Sequence, residues 1–349
     1  MLESHELPTR LDSQLSNSRT VAVYVVTYRR PALLRRALAS LIAQTHKDFV
    51  ATVLNDDPGD SSVAKLVSEL GDPRIRLSLP SKRRGGAGNF NVAFREVHCS
   101  YASILEDDNW WEPEFLEHML AALSIHPTIQ VASGNERFWR EQQDGTWANL
   151  KACLWDDHSD RIYRSTFRSA CGSQTIGNSA LLFRTGLAAA WLTPDDIPVD
   201  VTEHFRERVI AQPILLVGRP LVNFSVTLVS HRDSSGMIWS VYQVLLIGSM
   251  FCVTPSSFRA MRARELWDSM IDKAGPQATS YLLTAVAIPE ARDLWRRAPL
   301  RARLRFLFSA IRHPIGLLVA IRARNKYPDH WEFLVRSSIA LNFPDIDER

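Results

Sequence analysis

The pattern that most constrains this chain is an alternation of short apolar runs and amphipathic segments over residues 21–105. The first run, Val21–Val26, is rich in β-branched residues and lacks polar alternation, as expected for a parallel strand that is buried on both faces. Further runs at residues 49–54, 75–79 and 102–105 are separated by segments with helical spacing. Strands that alternate with helices form βαβ units, so we expect an α/β fold with a mostly parallel sheet and helices on both faces.

Beyond residue 110 the pattern is less regular. We expect a helix over residues 111–123 and closing strands at residues 214–217 and 221–228. The Trp-rich stretch 135–176 matches neither the helical nor the strand period. This half of the chain is therefore predicted in outline only.

The changes of pattern divide the chain into three parts. Residues 1–20 are polar and mixed in charge, and we expect a loose N-terminal arm there. Residues 21–255 are expected to form the α/β domain, with one half over residues 21–120 and the other over residues 121–255. Residues 256–349 contain long helical patterns punctuated by prolines, so we expect a helical C-terminal subdomain there.

Composition excludes several classes of protein. Hydrophobic residues make up 46% of the 349-residue chain, which is far too many for a disordered chain. No uninterrupted apolar stretch reaches the roughly 18 residues that a membrane-spanning helix needs, and the polar N-terminus does not resemble a secretory signal. The four cysteines lie far apart without a CxxC pair, so they predict reduced thiols of a cytoplasmic protein, not disulfides or a zinc site.

Polar residues follow each of the first four predicted strands. In an open α/β sheet, ligands bind at the carboxyl ends of the strands. We therefore expect these residues, which include phosphate- and metal-binding types, to lie together at a ligand site. The four segments are Thr27–Arg30, Asn55–Asp57, Lys82–Arg84 with the glycines after it, and Glu106–Trp111.

The acidic run Glu106-Asp107-Asp108 directly follows an apolar strand. Neighbouring carboxylates repel one another unless a cation or a hydrogen-bond donor lies between them. Mg²⁺ and Mn²⁺ commonly bind one or two carboxylates and complete their coordination with substrate phosphates. The run therefore predicts a divalent metal site, and the alternative interpretation is a solvated turn in which Asp108 or Asn109 caps the next helix.

Four motifs, in this order, resemble those of the family 2 glycosyltransferases of GT-A fold. They are VVTYRRPALLRRALASLIAQTHKDF, VLNDDPGD, GGAGNFNVAF and ILEDDNWWEPEF. The resemblance is strong over residues 21–120 and continues more faintly to about residue 240. It implies a Rossmann-like sheet and a reaction that moves a sugar from a nucleoside diphosphate to an acceptor.

The resemblance also implies roles for individual residues. Asp56 corresponds to the base-contacting Asp of the family, Asp107 to the residue near the ribose and Asp108 to a metal ligand. Arg29 stands where the family commonly has Asn. The implied nucleotide-sugar-binding residues are Thr27, Tyr28, Arg29, Asp56, Arg84, Asn89, Asn91 and Asp107.

Fainter motifs suggest the remaining groups of the site. Residues 176–187 resemble the acceptor-side strand of the family. Asp200 stands near the position of the general base, with Glu203 as the second choice. The alternative is that Asp200 caps the helix that follows it. His231 resembles a late His that helps to hold the metal or the pyrophosphate, although a single His more often has a structural role.

Basic residues are concentrated near the C-terminal end. Residues 292–326 include ten Lys or Arg and one acid, so this segment carries a formal charge of +9 and leaves −6 for the rest of a chain whose net charge is +3. Apolar residues recur between the arginines at helical spacing. The segment fits the surface of an anionic membrane or a lipid-linked acceptor, and equally a helix that packs on the catalytic domain with solvated arginines.

Together, the motifs predict a metal-dependent inverting glycosyltransferase that uses Mn²⁺ or Mg²⁺ in polysaccharide or glycoconjugate biosynthesis. The expected donor is a UDP- or dTDP-sugar, and the expected acceptor is a glycan, a lipid-linked molecule or a small molecule. Nucleic acid is not an expected partner, because nothing resembles a recognition fold. We expect a cytoplasmic location, extending to the inner face of the membrane, and homo-oligomer formation is left open.

Two alternative functions remain at this point. A sugar-phosphate nucleotidyltransferase would share the sheet and the metal chemistry, but it would have a glycine-rich activating loop directly after the first strand. This chain has Thr27–Pro31 there instead. A non-catalytic sugar-nucleotide-binding module would lack an available base at Asp200.

Overall fold

The computed structural model describes residues 20–95, 97–171, 175–228, 236–270 and 275–341. The chain divides into two compact units, and each unit combines segments that are not contiguous in sequence. The first unit consists of Met1–Tyr163, Ile176–Asp196 and Ala211–Leu228, and the second of Arg164–Thr175, Ile197–Ile210 and Val229–Arg349.

The first unit contains, as far as it is described, one ten-stranded sheet. The strands are β1 (Val21–Thr27), β2 (Phe49–Asn55), β3 (Ile75–Ser78), β4 (Tyr101–Glu106), β5 (Trp110–Trp111), β6 (Val131–Glu141), β7 (Trp147–Cys153), β8 (Arg161–Tyr163), β9 (Leu181–Arg184) and β10 (Ile214–Val226). Their order in the sheet is β3-β2-β1-β4-β9-β6-β10-β5, with β7 beside β6 and β8 beside β10.

The N-terminal half of the sheet is parallel, as predicted. β1 pairs in parallel with β2 and β4, so Val21 lies beside Phe49 on one side and Tyr101 on the other. Val23 and Val25 are buried as well, which accounts for the lack of polar alternation in this strand. β9 is antiparallel to both β4 and β6, and the sheet is therefore mixed in its second half. The predicted α/β class with a mainly parallel central sheet is confirmed.

The helices of the first unit begin and end at the expected local signals. α1 (Pro31–Ile42) has proline in its first turn. α2 (Ser61–Leu70) is capped by Asp60, whose carboxylate accepts the backbone N–H of Ser62 at 2.9 Å. The helices α3 (Gly85–Arg95) and α4 (Phe115–Ile125) follow β3 and β5.

The region after β4 differs from the prediction. The helix expected over residues 111–123 is present as α4, but it begins later, at Phe115, because Trp110 and Trp111 form the short strand β5. Trp111 pairs with Val222 of β10, and its indole N–H donates to the carbonyl of Ser179 at 2.7 Å. These tertiary contacts hold Trp111 in the sheet although its sequence environment suits a helix.

The second half of the sheet also departs from the predicted pattern. The expected strands at residues 214–217 and 221–228 form one strand, β10, whose register against β6 shifts on either side of Pro220. The residues that interrupt the apolar pattern, 218–220, lie at this irregularity. The Trp-rich stretch 135–176 contributes most of β6 together with β7 and β8.

The second unit is helical in the residues that the structure describes. The helices Leu300–Arg312 and Pro314–Ile321 meet at a bend of 104°, and together they have the length and composition of a membrane span; no single helix in the described ranges does. The helices are α5 (Phe167–Ala170), α6 (Thr202–Glu207), α7 (Gly236–Val253), α8 (Ser256–Asp268), α9 (Pro276–Ala287), α10 (Arg292–Arg297), α11 (Leu300–Arg312), α12 (Pro314–Ile321), α13 (Ala323–Lys326) and α14 (Pro328–Ala340).

The helical unit includes α5, α6 and α7, which precede residue 256 in the sequence. α7 is apolar on most of its surface, and it packs against α9 and α14. The buried Arg208 ties the short segment around α6 to this unit, because its guanidinium donates to the carbonyls of Ala170 and Leu246 and to the Ser338 hydroxyl. Burial lowers the pKa of Arg208 to about 10.

Candidate active site

The site begins where β1 and β4 end side by side. Val26 lies beside Glu106 in the parallel pairing of the two strands, so the residues that follow them meet. The Thr27 hydroxyl donates to Asp107 Oδ2 at 2.8 Å, and the backbone N–H of Tyr28 donates to the same oxygen at 3.3 Å. Thr27 and Asp107 are both buried. The sheet thus fixes the first carboxylate of the site.

The Arg30 guanidinium bridges two carboxylates of the acidic run. Its Nη2 lies 2.5 Å from Asp107 Oδ1, and its Nη1 lies 2.7 Å from Asp108 Oδ2. Charge-assisted hydrogen bonds of this kind are short and strong. Since two carboxylates share one guanidinium, one negative charge is left in excess when both are ionised.

Burial raises the pKa of the Asp107 carboxyl to about 6. Arg30 and the hydrogen bond from Thr27 oppose this rise, and the neighbouring Asp108 adds to it. Burial also lowers the pKa of Arg30, but the two carboxylates outweigh that effect and raise it above its usual value. The cluster therefore favours positive charge close to Asp107 and Asp108.

Arg29 has a different partner from Arg30. Its backbone is left-handed, with φ of 56°, which is uncommon for a residue other than glycine. Its Nε lies 2.5 Å from Asp57 Oδ2, and its side chain is largely exposed. The turn therefore separates the two arginines, so that Arg29 contacts the loop after β2 and Arg30 contacts the carboxylates after β4.

Asp56 fixes the start of α3. Its Oδ1 accepts the backbone N–H groups of Arg84 at 2.8 Å and Gly85 at 3.1 Å, and its Oδ2 accepts Arg83 Nε at 3.0 Å. The Arg83 guanidinium also lies over the Tyr28 ring, 4.0 Å from its centroid. These contacts join the loops that follow β1, β2 and β3 at one edge of the sheet.

The two asparagines of α3 have different surroundings. Asn91 Nδ2 donates to the Thr193 carbonyl at 2.7 Å and to Asp195 Oδ1 at 2.6 Å. Asn89 is buried, and within the described part of the chain neither of its amide atoms has a hydrogen-bond partner. A buried unpaired polar group costs about 1–3 kcal/mol. The hydrogen-bonding capacity of the Asn89 amide is thus unused within the described residues, whereas Asn91 anchors α3.

Buried polar residues hold the acidic run in place. The Ser179 hydroxyl lies 2.9 Å from Glu106 Oε2, to which it donates, and it accepts the Asn109 amide and the backbone N–H of Glu106. Asn109 Oδ1 in turn accepts the backbone N–H of Ser225 at 2.9 Å. The conformation of the run that carries Asp108 is thus set by the surrounding protein.

Arg36 supports the backbone at Asp108. Its Nη2 donates to the Asp108 carbonyl at 2.5 Å and to the Ser225 hydroxyl at 2.9 Å. The guanidinium also lies 3.9 Å from the ring centroid of Trp110 and 4.0 Å from that of Trp147, which are cation–π contacts. Burial lowers the pKa of Arg36 to about 10.

Asp108 is the residue of this cluster best suited to hold a divalent cation. The Asp107 carboxylate already accepts hydrogen bonds from Thr27 and Tyr28 in addition to its contacts with Arg30. Among the described residues, no group of three or more His, Cys, Asp or Glu side chains could hold a metal ion. Carboxylate oxygens are the ligand type that Mg²⁺ and Mn²⁺ prefer, and these ions commonly complete their coordination with phosphate and water.

The predicted base and its alternative lie in the second unit. Asp200 is half-buried in the single 3₁₀ turn Val199–Val201, and Glu203 is half-buried in the first turn of α6. The cap residue of α6 is Val201, so Asp200 does not cap this helix. His231 lies outside the described residues. The roles of these three residues stay predictions.

Sequence reasoning missed Arg30, Arg36 and Arg83. Two of them belong to the basic segments after β1 and β3 that it singled out, but it chose the adjacent Arg29 and Arg84 as binding residues. Adjacent arginines in a turn are not distinguished by spacing, because backbone conformation decides which side chain points to the carboxylates. No sequence signal marks Arg36, whose aromatic partners lie far away in the chain.

Three comparisons with known proteins agree with this geometry. Residues 22–176 match the model of glycosyl transferase family 2. The chain is 22% identical over 226 residues to the glycosyltransferase GlyA of Streptococcus pneumoniae, an alignment that covers 64% of this chain and 32% of GlyA. It is 25% identical over 115 residues to the UDP-Glc:alpha-D-GlcNAc-diphosphoundecaprenol beta-1,3-glucosyltransferase WfgD of Escherichia coli, covering 33% of this chain and 45% of WfgD.

The fold is similar to that of S. aureus TarS 1–349 in complex with UDP-GlcNAc, with a TM-score of 0.52 at 13% identity over 94% of each chain. The chain spans less than half the length of both curated relatives. The motifs, the sheet topology and the family match lead to the same assignment. Residues 22–176 belong to glycosyltransferase family 2, and the chain has the GT-A fold.

Proposed function

We propose that this chain transfers a sugar from a nucleoside diphosphate sugar to an acceptor hydroxyl, with inversion at the anomeric carbon. The observation that carries the proposal is the buried cluster of Thr27, Arg30, Asp107 and Asp108 at the adjoining ends of β1 and β4. Open α/β sheets bind ligands at this edge. The excess carboxylate of the cluster suits a site where a cation accompanies a diphosphate.

The nucleoside half of the donor is proposed to bind beside Tyr28, Asp56 and Asn89. The Tyr28 ring offers an aromatic face, which Arg83 covers in the present structure. Asp56 is a buried acceptor, and the amide of Asn89 is a buried group without a protein partner among the described residues. A uridine or thymidine nucleotide is proposed as the donor, and the similar fold of TarS in complex with UDP-GlcNAc supports uridine.

The cofactor is proposed to be Mn²⁺ or Mg²⁺, with Asp108 as its protein ligand and His231 as a second candidate. When bound, such an ion neutralises the charge that develops on the leaving diphosphate. Arg30 holds Asp107 and Asp108 together, and we propose that it also contacts the phosphates. Thr27, Arg29, Arg84, Asn91 and Asp107 are proposed to complete the nucleotide-sugar site.

Asp200 is proposed as the general base, with Glu203 as the alternative. The acceptor oxygen attacks the anomeric carbon while the bond from that carbon to the β-phosphate oxygen breaks. The acceptor proton passes to the carboxylate. Single displacement of this kind inverts the configuration at the anomeric carbon.

The reaction is proposed to serve glycan or glycoconjugate biosynthesis in the cytoplasm. WfgD, which acts by its name on a diphosphoundecaprenol-linked sugar, supports a lipid-linked acceptor. All four cysteines of the chain are free thiols, which is compatible with a reducing compartment.

The test is turnover of UDP- and dTDP-sugars with Mn²⁺ and a mixture of acceptors, measured as release of nucleoside diphosphate. We expect Asp108→Asn to lower the rate on the order of 100-fold or more, because the leaving group loses electrostatic stabilisation. Asp200→Asn should lower transfer by ~10²–10⁴-fold, which is the usual contribution of a general base. The NMR coupling of the anomeric proton in the product reports inversion.

The control is Asp144→Asn, which removes an exposed carboxylate in the turn before β7. This variant should turn over like the wild type. Release of pyrophosphate from a nucleoside triphosphate and a sugar phosphate would instead identify a nucleotidyltransferase. Tight donor binding without any turnover would identify a binding module.

A further inference from the structure

The helix α11 presents an apolar stripe to solvent. Its members Leu300, Leu304, Leu307, Phe308 and Ile311 are between 47% and 79% exposed. Their spacing of i, i+4, i+7, i+8 and i+11 places them within about 100° of the helix circumference. Most apolar helix faces of this width lie against a core, but this face does not.

The buried side of α11 is different and much smaller. Ala302 and Phe306 lie there, and the Phe306 ring packs against Trp295 of α10 with 5.7 Å between ring centroids. The helix is thus packed against its own unit through a small buried surface. Its larger apolar face remains uncovered in the part of the chain that the structure describes.

Basic side chains border this apolar stripe. Arg301, Arg305 and Arg312 are exposed and follow the stripe along one side at helical spacing. No acidic residue occurs in the sequence between Asp293 and Asp329. The surface therefore combines an exposed apolar stripe with a row of positive charge, in a stretch of sequence that contains no acid.

The apolar surface continues past the bend into α12. Ile315 and Leu318 are exposed there as well. A groove of about 680 Å³ lies where the two helices meet, and Phe306, Ile315, Leu317 and Arg312 are among the residues that line it. The groove provides an apolar cavity beside the arginines that border the stripe.

We propose that α11 and α12 dock on the surface of an anionic lipid bilayer. The exposed apolar side chains would enter the boundary between headgroups and acyl chains, while the arginines contact anionic headgroups. A second copy of the chain fits less well, because a two-fold interface through this face would bring two rows of arginines together without acids to pair them.

The first test is flotation of the full chain with vesicles of neutral phosphatidylcholine or of phosphatidylcholine with 30 mol% phosphatidylglycerol. The wild type should float with the anionic vesicles and much less with the neutral ones. The double variant Leu304→Glu/Ile311→Glu, at side chains that are 58% and 79% exposed, should lose binding. Its matched control is Ile162→Glu/Ile125→Glu, at side chains that are 57% and 75% exposed in the first unit, and it should float like the wild type.

The second test removes charge alone. Arg301→Ser/Arg305→Ser/Arg312→Ser should weaken binding to anionic vesicles about 100-fold, since each basic residue near an anionic surface contributes about a factor of five. Arg76→Ser/Arg164→Ser/Arg264→Ser removes the same charge at exposed positions elsewhere and should bind like the wild type. Binding by the wild type should also fall between 0.1 M and 0.5 M salt.

Two outcomes would overturn this inference. One is equal flotation of the wild type and the Leu304→Glu/Ile311→Glu variant. The other is a dimer in light scattering that this variant dissociates, together with no vesicle binding by the wild type, which would show that the face binds a second copy. Neither result depends on donor turnover, so the proposed function is tested separately.

Discussion

Asp107 and Asp108 are adjacent in the sequence, yet they differ in what their carboxylates contact. The Asp107 carboxylate accepts hydrogen bonds from Thr27 and Tyr28 and pairs with Arg30, whereas the Asp108 carboxylate pairs with Arg30 through one oxygen. This difference is the reason for proposing Asp108 as the metal ligand. This distinction comes from the pairing of β1 with β4 and is not visible in the letters EDD.

The pH dependence of stability tests the surroundings of Asp107. Burial raises the pKa of its carboxyl to about 6 in the folded chain, above the ordinary value near 4. Between about pH 4 and pH 6 the unfolded chain has released this proton, whereas the folded chain retains it. This group therefore lowers the free energy of unfolding as the pH rises, and the full loss is reached above about pH 6.

We therefore expect the free energy of unfolding of Asp107→Asn to rise relative to that of the wild type between pH 4 and pH 7. Urea unfolding at both pH values, followed by circular dichroism in the absence of divalent metal, measures it. A difference that shifts in favour of the wild type with rising pH would mean that Arg30 depresses the pKa of Asp107. Acids that contact neither Asp107 nor Arg30 are common to both proteins and cancel in the difference.

At the scale of single elements, β10 shows where sequence reasoning fails. Residues 218–220 interrupt the apolar pattern where the register shifts, so the sequence predicts two strands in place of one. Gly218 lies at this irregularity, where its N–H donates to Asp160 Oδ1 at 2.9 Å and its carbonyl accepts Asn135 Nδ2 at 3.0 Å. A Cβ atom at Gly218 would lie 2.2 Å from the carbonyl carbon of His158.

Gly218→Ala should therefore destabilise the chain by about 3 kcal/mol, since backbone must move to admit the methyl group. The matched control is Gly186→Ala, where a Cβ atom would meet nothing within 4 Å. That variant should change the free energy of unfolding by no more than about 0.5 kcal/mol. Urea midpoints of both variants measure the effect, and similar midpoints would contradict the packing described at Gly218.

The sequence predicts well those elements that are determined by residues close to one another in the chain. β1 is a run of buried β-branched residues, and α2 has Asp60 and Gly71 at its two ends. Trp111 was predicted in a helix and lies in a strand, because its partners Val222 and Ser179 are remote in sequence. Long-range pairing therefore limited the prediction of the second half of the sheet.

At the scale of the whole molecule, the near-neutral charge conceals a separation of charge. The segment 292–326 carries +9, and the rest of the chain carries −6. The structure assigns this segment to the helical unit, and it assigns the carboxylates of the proposed donor site, Asp56, Asp107 and Asp108, to the other unit. Sequence predicted both groups of residues, but not that each unit combines segments from separate parts of the chain, since only tertiary packing brings those segments together.

The central claim is that the carboxyl ends of β1, β2 and β4 bind a nucleoside diphosphate together with a divalent cation. The most direct measurement is titration calorimetry of UDP and dTDP, with and without Mg²⁺, against the wild type, Asp108→Asn and the control Asp144→Asn. We predict that Mg²⁺ tightens binding to the wild type and to the control by roughly 10- to 100-fold, and that Asp108→Asn loses this gain. Equal affinities of all three proteins in Mg²⁺ would contradict the claim.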